Sequence, residues 1–461
     1  MEQQHALCVG SGDVTTDIFS GEIPDITPDL DNQAESAIAK LMSALSSEAR
    51  EKAYKDMHGV PDVAMESPEL LQKGLGQLQF EIDNIIDKPA YNQALKQDPN
   101  YVCDEEFRTL FLRTDEMNPG LAALRIVRHF QLKLDLFGSE CLTKTITQDD
   151  LDRDDMEALY AGRGRVLPSK DRAGRTLNLF IVGQPSSTQA MLRRSFYNIM
   201  SNPQATQGGI VTIIYGVGCQ SVPNRAFSWK FPKIAEGLPV RISAVHMCQS
   251  KSLYSMAFAF VMMAFDAFTR IRIKTHSGTH DEVMASLRGY GIELERLPLN
   301  RDGKISDLEE YRQGLLLQRA RERLQHPRRN RIHVPCMFDV LFGKGTPFQN
   351  HVGNKRFRLM VTEQQQRYTK SERGEKLQVA QDIVDNVIEN SGVFLKPDGE
   401  SWIAVENDAA RAKVSATFRT MRRTNKRLQS SCKNLPSINN RLSLKKSGDN
   451  NEGYNMKDAF Y

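Results

Sequence analysis

No C-x-x-C pair occurs in this chain, and its seven cysteines, at positions 8, 103, 141, 219, 248, 336 and 432, are odd in number. That excludes zinc ribbons and disulfide frameworks and fits reduced, mostly buried thiols. Long apolar runs are lacking too. The longest, Met256 to Phe265, is closed by Asp266 and falls far short of the ~18 residues that span a bilayer. The N-terminus has no basic segment before an apolar stretch, and Glu2 stands where myristoylation needs glycine, so neither secretion nor lipid anchoring is expected. There is no G-x-S-x-G, H-E-x-x-H or kinase signature, and in Gly343-Lys344-Gly345-Thr346 a glycine interrupts the order a phosphate loop needs. The expectation is a protein that is not an enzyme, works without a cofactor and resides in the cytoplasm, or alternatively the nucleus.

What is present is a chain of 461 residues, 40% hydrophobic and 26% charged, enough for two to four globular units. The net charge of +4 is small, but its distribution is uneven. Residues 1–39 carry eight acids and no Lys or Arg, whereas Arg319 to Arg331 hold six arginines against Glu322 alone. Residues 1–35, acidic and poor in apolar periodicity, are expected to be a disordered tail. Apolar spacing of three to four, as in Leu121, Leu124, Ile126, Val127, Phe130, Leu134 and Phe137 with Gly138 as C-cap, makes 36–160 a helical region.

From Gly174 the pattern alternates. Strands are expected at 175–183, 208–218, 239–248 and 270–278. Helices are expected at 186–202 with Ser186 or Ser187 as N-cap, at 251–268 and at 279–291. A charged helix from Asp307 to Gln325 and an Arg-rich linker fill 306–334. A basic module at 335–428 carries a hairpin around Lys396 to Gly399, and 429–461 is a polar tail expected to be disordered. The fold class is α/β, a mostly parallel sheet with a helical N-terminal region and a small α+β C-terminal module.

Asp171-Arg-Ala-Gly174-Arg175 entering a strand, IVTIIYGVG, Phe231-Pro232-Lys233-Ile234 and the closing Tyr290-Gly-Ile…Leu297-Pro298…Gly303 resemble, in that order, the CRAL-TRIO family of lipid-binding domains. The resemblance spans about 165–305, with 50–160 similar to the helical segment that commonly precedes it. His246-Met-Cys-Gln249 replaces the family's Asn-x-Pro, so the family's ligand pose does not carry over. The resemblance implies a CRAL-TRIO-like domain at 161–305 that binds or transfers a phospholipid or isoprenoid. Its candidate lipid contacts are Tyr215, His246, Met256, Phe260, Met263 and Ala264. The 251–268 helix is apolar around its whole circumference and rich in adaptable methionine, which suits a ligand chamber and equally suits core packing.

Asp339-Val-Leu-Phe-Gly343 through Asn350-His351-x-Gly353-Asn354, then Phe394, Trp402 and Ala409 to Val414, resemble a domain of unknown function recurrent in algal proteins, over about 337–423. Residues 331–428 hold 17 Lys plus Arg against 11 Asp plus Glu, a difference of +6. Candidate polyanion contacts are Arg328, Arg329, Lys344, Lys355, Arg356 and Arg358, meeting an anionic membrane surface or nucleic acid, with Phe357 either stacking or in the core. The alternative function is a nuclear nucleic-acid-binding regulator using 319–428.

Two metal patterns are weaker. Asn300 to Glu309 resembles a calcium loop, but Pro298 stands at the first ligand position, so no calcium is expected. His276 and His280, four apart around Gly278, read as a solvent-exposed turn rather than a metal pair.

Overall fold

The strands form where β-branched and aromatic residues cluster. β1 (Gly164–Lys170), β2 (Thr176–Ile181), β3 (Ile210–Tyr215), β4 (Ile242–Gln249) and β5 (Ile273–Ser277) build one sheet in that same order. β1 is antiparallel to β2, and every later pairing is parallel. The computed structural model describes residues 23, 30–61, 67–183, 186–219, 224–250, 260, 262–293, 295, 297–326 and 329–433. They fall into two units, with the chain divided between Leu315 and Leu316.

In the N-terminal unit each parallel crossover moves one strand further in the same direction, so the sheet has no point at which strand order reverses. Open α/β sheets hold nucleotides at such a reversal, and this one offers none. Right-handed crossovers stepping one way put the connecting helices on one face. These are Thr188–Met200, which starts at N-cap Ser187, and Arg225–Gly237. Phe180 of β2 packs on Phe227 and Phe231 of the second helix, at 5.9 and 4.7 Å between ring centroids. The opposite face of the sheet, with Leu177, Leu179, Val211, Ile213 and Ala244, buries Val283, Met284 and Leu287 of the helix His280–Arg288 and also Ile292 and Leu297.

The helical region builds its own core from Leu78, Ile82, Tyr91, Phe111, Leu112, Ile126 and Phe130. Its longest helix, Pro119–Phe137, ends at Gly138 with φ 78°. It meets Arg225–Gly237 at Gly237, where an added Cβ would lie 3.2 Å from the Arg128 carbonyl oxygen, so glycine permits the approach. The buried His129 closes this crossing through a 3.0 Å hydrogen bond from Nδ1 to the Gly237 carbonyl.

In the C-terminal unit β6 (Arg331–Ile332), β7 (Val340–Leu341), β8 (Phe394–Asp398) and β9 (Ser401–Ala404) form a sheet in the order β6-β9-β8-β7. The expected hairpin is β8 and β9, turning at Gly399 with φ 59°. Helices Val352–Glu363, Arg373–Glu389 and Asn407–Lys433 pack on it around Phe357, Val361, Val379, Val384, Phe394, Val414 and Phe418.

Several expectations change. β1 lies outside the expected strands, and Phe231 to Ile234, which falls in no expected element, lies inside the helix Arg225–Gly237. The 251–268 helix is not continuous: helical residues 262–264 stop, and Asp266 caps a new helix, Ala267–Arg270, by accepting from the Thr269 N–H at 2.8 Å. Residues 251–259 and 261 lie outside the described residues. The disordered tails expected at 1–35 and 429–461 also lie largely outside them. Helix is nevertheless present from Leu30 to Ala44, and the last helix runs to Lys433.

Candidate functional site

Strand alternation decides which predicted lipid contacts meet. Ile213 pairs with His246 and Tyr215 with Cys248, so Tyr215 and His246 share the sheet face that packs on His280–Arg288. Both are buried. Phe260 and Met263 instead share a separate small cluster with Trp229, Met262 and Ile23, with Phe260 and Trp229 rings 5.4 Å apart. Trp229 belongs to Arg225–Gly237, the helix covering the other face through Phe180. The five expected contacts among the described residues therefore do not converge. Ala264 is half-buried in the Phe260 segment, and Met256 lies outside the described residues.

His276 is buried, correcting its reading as part of an exposed turn. β5 aims it at the same face as His246: His246 Nδ1 and His276 Nε2 share a hydrogen bond of 3.0 Å, and His276 Nδ1 lies 2.7 Å from the Ser286 hydroxyl. Tyr290 stands edge-on to both rings, 5.0 and 5.2 Å away, and stacks at 4.7 Å on His58. Burial, followed by the nearness of His276 and of the cations Arg175 and Lys274, pushes His246 down to about 3. Burial likewise takes His276 to about 4, so this pair is neutral near pH 7. His280 does not join it. Its Nδ1 is 2.7 Å from the Tyr215 hydroxyl. Among the described residues no group of three His, Cys, Asp or Glu is placed to hold a metal ion.

The Asn300 loop uses its first side chain on its own backbone, Asn300 Oδ1 accepting from the N–H groups of Asp302 and Lys304. Gly303, at φ 71°, lies against the Tyr215 ring.

Beside the sheet is an ionic cluster that sequence reasoning missed. Asp56 Oδ2 accepts from Arg272 Nε at 2.8 Å and Arg241 Nη2 at 2.9 Å, and Arg175 stands 3.9 Å away. Arg241 also reaches Glu116, which takes Lys52 at 2.6 Å. Asp56 and Arg272 are 216 residues apart in sequence, so no local spacing announces the pair.

In the C-terminal unit the buried Asp339 takes the N–H of Cys336 at 2.7 Å, the N–H of Val393 at 2.9 Å and the Arg323 guanidinium at 2.7 Å. Asn354 bridges strand and loop: its Oδ1 accepts from Leu341 N–H, and its Nδ2 donates to the carbonyls of Leu341 and Phe348. Gly353 is required because a Cβ there would collide with the Asp339 carbonyl oxygen. Phe357 is core, edge-on to Phe394 at 5.9 Å, and so is not a stacking platform for bases. Lys344, Lys355 and Arg356 are exposed, Arg329 is half-buried, and Arg358 is half-buried and donates to the Gln349 carbonyl. Arg328 lies outside the described residues. Sequence reasoning passed over Lys413, which donates to the Leu341 carbonyl at 3.0 Å and sits over the Phe342 ring at 4.4 Å. Burial and the neighbouring Arg358 lower its pKa.

Asp339, Asn354, Phe357 and Lys413 fall within one family match. Residues 339–420 match the family model described as a domain of unknown function (DUF6824), which opens on Asp339 and covers the sheet strands from β7 onward. No CRAL-TRIO family model matches residues 165–305. No curated protein matches the chain.

Proposed function

We propose that the N-terminal unit is a non-catalytic, CRAL-TRIO-like module that binds or carries a lipophilic molecule, a phospholipid or an isoprenoid, and that the C-terminal unit docks it to a polyanion. The observation that carries the reading is the Phe260, Met262, Met263 and Trp229 cluster. It stands apart from the main cores, and all but Phe260 remain half-exposed. Large, adaptable apolar groups left half in water gain about 25 cal/mol for each Å² that a lipid tail covers, and thioethers conform to irregular chains. The binding surface in this reading lies on the Arg225–Gly237 side of the sheet, and Tyr215 and His246 belong to its structural backing on the other side. No helix among the described residues is long and apolar enough to cross a membrane. The proposed place of work is the cytoplasm, or the nucleus where the polyanion is nucleic acid.

Trp229 supplies the test. The chain has two tryptophans, the other being Trp402, so Trp402→Phe leaves a single reporter. Phospholipid brominated along its acyl chain is expected to quench Trp229 saturably. Unchanged emission up to saturating lipid, with the brominated phospholipid and with a brominated isoprenoid alike, removes the proposal.

A further inference from the structure

The strongest charge asymmetry among the described residues lies on the helix Asn407–Lys433, outside the cation set expected from sequence. After Asp408 this helix carries no acid, and within nine residues it presents Arg419, Arg422, Arg423, Lys426 and Arg427, all exposed. Its orientation is fixed by its first half: Ala410, Val414 and Phe418 are buried, and Phe418 stacks on Tyr368 at 3.9 Å between ring centroids. At ~100° per residue Arg423 points directly away from Val414, and Arg419 and Arg427 flank it at i−4 and i+4.

Such an array opposes the helix that carries it. Arg419 with Arg423, Arg423 with Arg427, and Arg422 with Lys426 are like charges at i,i+4, which destabilise a helix. The macrodipole favours cations only in the last turn, and Arg419 lies about four turns before Lys433. We propose that Arg419, Arg423 and Arg427 form a backbone-binding row for nucleic acid, engaging consecutive phosphates without reading bases. An anionic membrane fits less well. Helices that lie on membranes pair a basic face with a free apolar one, and here the apolar face is spent in the core, while Thr420, Thr424 and Asn425 stand between the arginines.

This deepens the docking role proposed for the C-terminal unit and rests on it. The experiment is fluorescence anisotropy of the full chain with a labelled DNA duplex between about 50 and 200 mM salt. It compares two triple variants that remove equal charge: R419Q/R423Q/R427Q on the last helix and K344Q/K355Q/R356Q, the loop triple, at Lys344 and the start of the helix Val352–Glu363. Glutamine keeps helix propensity, and far-UV circular dichroism checks the fold. The helix triple is expected to lose about tenfold or more in affinity and two to three units of the log-log salt slope, and the loop triple less than about threefold. An equal or larger loss at the loop overturns the row but leaves the docking role. Binding to phosphatidylserine-containing vesicles with none to DNA overturns nucleic acid as the ligand. No binding to either removes the docking role together with the row.

Discussion

In the N-terminal unit Arg241, Arg272 and Arg175 converge on Asp56 in the interior, whereas in the C-terminal unit Arg419, Arg422, Arg423 and Arg427 stand in solvent on a helix without an acid after Asp408. The histidines follow the first pattern. His129, His246 and His276 are all buried, and burial pushes each below its ordinary value, to about 3, 3 and 4. Residue types that suggest chemistry when read along a chain are, in the first unit, spent on joining elements to one another. In the second the arginines of the last helix face outward, while the buried Asp339 and Arg323 pair and the buried Asn354 join elements as in the first. Where an arginine finds its acid, rather than how many arginines a segment holds, decides whether it ties elements together or stands in solvent.

The largest test of that contrast is Asp56→Ala, which leaves Arg272 and Arg241 facing a vacated acid in a dry site. A loss of about 3–5 kcal/mol in urea unfolding is expected; a loss below about 1 kcal/mol would show that the cluster is solvated and erase the distinction. Next is pH. Each buried histidine binds its proton less readily folded than unfolded, so its stabilisation is complete above the unfolded value near 6.5 and is lost as pH falls toward 4. Between about pH 7 and 5 the loss is roughly 1–2 kcal/mol per histidine. His276→Asn should flatten that dependence, and an unchanged slope in this variant would remove His276 from the account. In the second unit Asp339→Asn keeps the shape but weakens the bonds to Arg323 and two backbone N–H groups, costing about 1–3 kcal/mol by thermal melt. Smallest of all, Arg422→Gln should shift stability by no more than about 0.5 kcal/mol, and a larger fall would mean that the exposed arginines are structural.

The sheet was largely legible. β2, β3 and β4 are buried strands with apolar runs, and β5, which buries His276 alone, is shorter and more polar; all four lie in the expected segments but for Gln249 at the end of β4. β1 was not, because Arg165, Pro168 and Lys170 break an apolar pattern that an edge strand does not need. Pro232 likewise hid the helix around it. The position of Phe357 in the core left its stacking role unfilled, although the spacing of Phe357 and Val361 already matched one helix face. For the lipid site, alternation along β3 and β4 made it readable that Tyr215 and His246 share a face, but what covers that face depends on a helix more than thirty residues further on. The Asp56 cluster depends on contacts between distant segments and left no spacing to read.

The most direct measurement for the central claim is native mass spectrometry of the full chain purified from its own cells under non-denaturing conditions. The account predicts a co-purifying lipid of discrete mass that is lost on organic extraction and retained when Arg419, Arg423 and Arg427 are replaced by glutamine. A bare polypeptide mass at every stage, with bound nucleic acid as the only companion, would contradict the lipid reading and leave the chain as a nucleic-acid-binding protein.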